Sequence, residues 1–331
     1  GNEMLGKLER FYAKSGIERR YSVIPDYTMR DPEAFAFYGK NWELEPFPTT
    51  GRRMELFEQE SVPLAARACR DAMQQAGVRP DEVTHLIVTT CTGFFAPGLD
   101  VMLLRELELS PSTQRLQIGF MGCYAGFNGM RQAHQIITAE PDAVVVQVCI
   151  ELCSLHYQKD ASLDSIVANC LFADGCAAAV WGRDERGGLA TIEGTACAVD
   201  GDSLDEMSWH IGDHGFRMGL RVDVPKTIER ELPEFVEDLL ASHTTQRAEI
   251  DRWAVHPGGR AILEAAEAAL GLEDESLAIP RSVLRDFGNM SSATIFFVLQ
   301  REFEQAAPGE RVVALGFGPG LTFEAALMEA K

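Results

Sequence analysis

Cys123 stands in GFMGCYAGFNG, between an apolar run and a segment with helical spacing, and glycines at 122 and 126 permit a sharp turn around it. A thiol at the junction of a strand and a helix meets unsatisfied amides and the positive end of the helix dipole, which favour the thiolate and lower its pKa. That is the setting of a nucleophile; an inert buried thiol is the other reading, since free cysteine packs as a small hydrophobe. His256, in WAVHPGG, ends a strand-like run before a Pro-Gly-Gly turn that aims the imidazole out of the sheet edge. A histidine so placed is either a catalytic group or a satisfied turn residue. Asn289, in FGNMSSAT, precedes a helix and is either its N-cap or an amide that donates to a carbonyl oxygen gaining negative charge. As a set, a cysteine, a histidine and an asparagine on three strand-to-helix turns fit acyl transfer.

The elements that must hold these residues alternate along the chain. Apolar spacing predicts helices over 61–77, 97–108, 124–139 and around 162–172, interleaved with β-branched or apolar strands over 84–91, 116–122, 143–150 and 176–182. The second half repeats the theme: helix 226–242, the strand and turn RWAVHPGG (252–259), helices 260–270 and 291–305, and the strand-bearing run 311–320. Such alternation implies an α/β fold whose central sheet is covered on both faces. Both halves place a strand before a chemically loaded turn and then a helix, which suggests two related α/β units, residues 1–186 and 187–331, rather than independent domains. The short stretch RDERGG (183–188) between them reads as a hairpin.

At 331 residues and 46% hydrophobic content, the chain can fill a sizeable core. A formal charge of −20 argues against nucleic acid or an anionic membrane as partner. No apolar run approaches the roughly 20 residues a membrane helix needs, and no signal-like segment opens the sequence, so the expected location is the cytoplasm. The eight cysteines lack the paired spacing that grips zinc, so no metal is expected.

The segments GCYAG, WAVHPGG, FGNMSSAT and GFGPGLTFE, in that order and spacing, resemble the chalcone and stilbene synthase family, the type III polyketide synthases. THLIVTTCTG, SLDSIVANCLFADG and DHGFRMGL extend the resemblance over nearly the whole chain. It implies a thiolase-like fold, two α/β halves in a layered αβαβα core, and a cytoplasmic homodimer. It also implies an enzyme that condenses malonyl-CoA units onto an acyl-CoA starter with no permanently bound cofactor. By this resemblance Cys123 carries the acyl chain, while His256 and Asn289 hold the malonyl thioester carbonyl during decarboxylation. Phe172 and Phe216 match the two phenylalanines that guard the passage between CoA tunnel and cavity, although plain core packing also accounts for a phenylalanine. Cys91, Thr92, Cys153, His156, Trp209 and Ser291 are expected on the cavity wall. Lys7, Arg10 and Lys14 share one helix face and match basic residues that contact CoA phosphates; a solvated face is the plainer alternative.

The sequence departs from the plant enzymes in three ways. Those enzymes begin some tens of residues earlier with a strand, and without it one edge of the first sheet would be unprotected. Cys91 and Cys153 replace threonines, as in the bacterial branch, which makes the pocket less polar and leaves open a catalytic part for either thiol. The loop FFAPG (94–98) resembles the segment that crosses a dimer interface, with Ala96 where methionine is common. The lining points to a fatty-acyl starter giving alkylpyrones or alkylresorcinols. A malonyl-only phloroglucinol or tetrahydroxynaphthalene-type synthase, a ketoacyl synthase III-like enzyme using a carrier protein, and an inactive thiolase-fold scaffold are the alternatives.

Overall fold

The structure, a computed structural model, describes residues 2–183, 187–273 and 275–331, with residues 2–8 as backbone only. The first half runs α1 (Asn2–Ser15), α2 (Thr50–Ala76), β1 (His85–Thr90), α3 (Leu99–Glu106), β2 (Gln114–Gly119), α4 (Ala125–Ala139), β3 (Val144–Leu152), α5 (Leu163–Leu171) and β4 (Asp174–Gly182). The second half runs β5 (Ala190–Val199), β6 (Met207–Gly212), β7 (Gly215–Leu220), α6 (Val224–Ser242), β8 (Arg252–Val255), α7 (Arg260–Leu270), α8 (Ala278–Phe287), α9 (Thr294–Phe303), β9 (Arg311–Gly318) and β10 (Thr322–Ala330).

Two four-stranded sheets result. The first has the order β2-β1-β3-β4, with β1 parallel to β2 and β3 and β4 antiparallel to β3. The second has the order β5-β10-β9-β8, with only β8 and β9 parallel. Helices α4 and α9 contact strands of both sheets and form the middle layer; α2 and α3 cover the outer face of the first sheet, and α6 and α7 that of the second. The core is thus five layers, αβαβα. Phe127, Met130, Ile295 and Val298, all under 3% exposed, fill the middle layer, and burying side chains of this size contributes roughly 1.5–3 kcal/mol each.

Helix α2 begins eleven residues before the predicted start at 61. Pro63 reads as a first-turn residue, yet it lies inside the helix. Burial of Arg53, Phe57 and Ser61, with Thr49 accepting a hydrogen bond from the Arg52 amide, carries the helix through it. The strands that flank the expected hairpin at 183–188 do not pair with each other, β4 pairing with β3 and β5 with β10, and residues 184–186 of that segment lie outside the described ones. The hairpin of this region is instead β6–β7, a two-stranded ribbon turning at Asp213-His214.

Candidate active site

From β2 the chain turns through Phe120 (φ +61°) and Gly122 (φ +91°) to Cys123, immediately before α4. A Cβ on Gly122 would lie 2.4 Å from Pro319 Cδ, so both its φ and its neighbour require glycine. The Cys123 Sγ is buried, 3.9 Å from Asn289 Nδ2 and 4.0 Å from Asn289 Oδ1. Burial pushes the thiol up to about 11; the Glu151 charge adds to this, and hydrogen bonds from Ser291 and Asn289 only partly offset it. Desolvation thus opposes the thiolate that the helix terminus favours.

His256 follows β8 and is anchored by its amide, which donates to Leu315 O at 2.7 Å. The ring is 1% exposed, and among the described residues neither nitrogen has a hydrogen-bond partner. Burial pulls its pKa down to about 3, so it rests neutral, able to accept a proton at one nitrogen and donate from the other. Burial disfavours the charged form of thiol and imidazole alike. Alkylation of Cys123 by iodoacetamide, in a Cys197→Ser background that removes the exposed thiol, is expected to accelerate about tenfold per pH unit between pH 8 and 10. A rate already level at pH 7 would show an imidazolium–thiolate pair instead.

Asn289 ties the two together. Its Nδ2 donates to Gly258 O at 3.1 Å, in the turn after His256, and its Oδ1 accepts from the Ser291 amide at 2.8 Å. The N-cap reading falls, because α9 starts at Thr294 with Ala293 before it. The Asn289 backbone forms a parallel bridge to Phe172: its amide donates to Leu171 O and its carbonyl accepts from the Ala173 amide, both at 2.9 Å.

Cys123 opens into a cavity of about 320 Å³. Cys91, Thr92, Cys153, His156, Phe172, Trp209, Phe216 and Ser291 all line it, so every residue expected on the wall is there. His256 and Asn289 lie beneath rather than on the lining, both 1% exposed. Cys91 and Cys153 have their pKa values pushed well up, first by burial and then by the Glu151 charge, so both are neutral thiols. Glu151 itself was not anticipated. Fully buried at the end of β3, it accepts from the Cys91 amide and Thr92 Oγ1, both at 2.9 Å, and from Ser292 Oγ at 2.5 Å; burial raises its pKa to about 7. A lone glutamate in the apolar run VVVQVCIEL was the available signal. Also unforeseen on the lining are Tyr12, Arg20, Tyr21, Tyr27 and Tyr157. Lys7, Arg10 and Lys14 all fall on α1; Arg10 and Lys14 are exposed, and the Lys7 side chain lies outside the described residues.

Comparison with known proteins matches this arrangement over the whole chain. Residues 2–185 match chalcone and stilbene synthases, N-terminal domain, and residues 196–331 match chalcone and stilbene synthases, C-terminal domain. The chain belongs to the chalcone and stilbene synthase family. It is a type III polyketide synthase with a thiolase-like fold, an enzyme of the acyltransferase class. A curated relative, the alpha-pyrone synthesis polyketide synthase-like Pks18 of Mycobacterium tuberculosis, is 33% identical over 98% of this chain and 82% of its own length. The crystal structure of PKS-I from the brown alga Ectocarpus siliculosus superposes with a TM-score of 0.93 at 33% identity, covering 100% of this chain and 90% of that one. The 1,3,6,8-tetrahydroxynaphthalene synthase of Streptomyces coelicolor A3(2) gives 0.88 at 28%, covering 99% and 91%. Among the described residues of this synthase no helix is long and apolar enough to cross a membrane.

Proposed function

We propose that this synthase extends an acyl-CoA starter with malonyl-CoA through Cys123, His256 and Asn289 and releases alkylpyrones. The observation that carries the proposal is the Asn289 amide, held between the Cys123 sulfur and the turn bearing a buried, unpartnered imidazole. In this reading the thiol proton passes to His256 as sulfur attacks the starter thioester carbonyl and coenzyme A leaves. Malonyl-CoA then places its thioester oxygen toward the His256 N–H and Asn289 Nδ2. Loss of carbon dioxide gives an enolate whose oxygen these donors stabilise, and its carbon attacks the Cys123 thioester. The exposed basic residues Arg10 and Lys14 on α1 suit the CoA phosphates on a chain of net charge −20.

The pyrone product rests on the relative named for alpha-pyrone synthesis and on a wall dominated by thiol, methionine and aromatic groups. At about 320 Å³ the cavity is near the lower end of the roughly 300–1,000 Å³ range of ligand pockets, which favours short and medium starters. The unpaired edge of β2, where Leu116 is 39% exposed, suits pairing with a second copy, with the 94–98 loop completing the partner's cavity. Mass spectrometry of products from malonyl-CoA and a graded acyl-CoA series should reveal pyrones that diminish as the starter lengthens. A product from malonyl-CoA alone, indifferent to every starter, would instead favour the tetrahydroxynaphthalene kind; no product without a carrier protein would sink the CoA-dependent reading.

A further inference from the structure

One wall of the cavity is built from three aromatic rings in contact. His156 lies flat on Phe216, with ring centroids 4.1 Å apart and an interplanar angle of 12°, and Trp209 meets both rings edge-on at 5.6 and 5.8 Å. Hydrogen bonds fix each ring. His156 Nδ1 accepts from the Phe216 amide at 3.0 Å, so its proton is on Nε2, which donates to Thr92 O at 2.7 Å. Trp209 Nε1 donates to Cys91 O at 2.8 Å.

Behind this wall, away from the cavity, sits Arg53, fully buried in the first turns of α2. Its Nη1 donates to both Leu155 O and Tyr157 O, the carbonyls on either side of His156, and its Nε donates to Pro48 O at 3.1 Å. Its Nη2 is buried without a partner, and among the described residues it meets no carboxylate. A buried guanidinium with no counter-ion is costly, and stability alone would favour an apolar side chain there. What only the guanidinium supplies is a fork of two donor nitrogens in one rigid plane, Nη1 on the carbonyl pair flanking His156 and Nε on Pro48 O.

The contact extends to the hairpin. Gly215 (φ +96°) passes so close that a Cβ would lie 3.0 Å from Arg53 Cδ and 3.2 Å from His156 Nδ1. One turn earlier on α2, Thr50 holds the same hairpin tip: its amide donates to Asp213 O, its hydroxyl donates to Gly212 O and accepts from the Gly215 amide. The first turn of α2 thus clamps both the 3-10 turn Cys153–His156 and the β6–β7 ribbon that carry the wall.

We infer that Arg53 is a positioning residue that sets the acyl-chain length this synthase accepts, by holding the His156–Phe216–Trp209 wall from behind. The inference rests on the polyketide reading above. Without the fork, His156 can retreat into the space left by the guanidinium and the cavity lengthens. The test compares wild type with Arg53→Met and Arg53→Lys, each checked for fold by circular dichroism and melting. Each is given malonyl-CoA with hexanoyl-CoA or palmitoyl-CoA, and malonyl-CoA decarboxylation is measured separately. Arg53→Met is expected to raise the ratio of palmitoyl to hexanoyl products about tenfold, the scale on which a pocket discriminates by methylene groups, with decarboxylation within about twofold of wild type. Lysine keeps the charge but has no second nitrogen to hold Pro48 O while it reaches the carbonyls beside His156, so it should restore the ratio only in part. An unchanged ratio, or equal losses in both products and in decarboxylation, overturns the inference and leaves Arg53 a plain structural residue. Should the methionine variant fail to fold, the lysine variant decides by the same ratio. Absence of any product from wild type would instead refute the polyketide reading itself.

Discussion

Cys123→Ala is expected to release no measurable polyketide, a loss of roughly a thousandfold or more, while carbon dioxide continues to come off malonyl-CoA. The separation follows from the geometry. In the proposed mechanism Cys123 carries the acyl intermediate, so removing its thiol ends extension. The groups that would hold the malonyl thioester stand on other elements: His256 is fixed by β9 through its amide, and Asn289 by Gly258 and Ser291. None of those bonds involves the Cys123 side chain. Trapping of labelled carbon dioxide beside product chromatography checks this; parallel loss of both activities would mean that Cys123 acts in decarboxylation too.

The same independence explains which parts of the site were legible in the sequence. Cys123 could be placed because its turn is local: an apolar strand, a glycine that no other residue replaces, and a helix start lie within a few positions. His256 and Asn289 could be named but not located relative to each other, since the Asn289–Gly258 bond joins segments that only the tertiary fold brings together. The protonation state of the thiol was not legible for a related reason. A helix terminus is visible in sequence, whereas the burial that lifts the thiol to about 11 depends on Glu151 and on every layer around it.

Secondary structure failed where neighbours override local preference. β10 is Ala- and Glu-rich, TFEAALMEA, yet it is the strand that pairs with both β5 and β9, and burial from Thr322 to Leu327 makes it a strand. α8 carries Pro280 in its first turn, which reads as loop until Leu284 and Val283 are seen to pack inward. The β6–β7 ribbon was missed although its turn residues, Gly-Asp-His-Gly, are a hairpin signal. That omission matters most for function, because Trp209 and Phe216 reach the cavity only as facing strands of one ribbon.

Asn289→Ala and Asn289→Asp are expected to fail in different ways, and the difference identifies what the amide does. Alanine removes a donor from the developing oxyanion, which should lower decarboxylation and extension together by roughly a hundred- to a thousandfold. It also strands the part-buried Gly258 O and the buried Ser291 amide, and such lost partners cost about 1–3 kcal/mol of stability where the group is buried. Aspartate keeps the shape and still accepts from Ser291, but it can no longer donate to Gly258 O and it sets a negative charge beside a sulfur that must become a thiolate. Cys123 alkylation should therefore slow more in the aspartate variant than in the alanine one, which loses only a hydrogen bond to the sulfur, at every pH from 8 to 10. If aspartate left alkylation untouched while abolishing decarboxylation, Asn289 would serve the enolate alone; if alanine retained decarboxylation, the oxygen would be held by His256 without help from the amide.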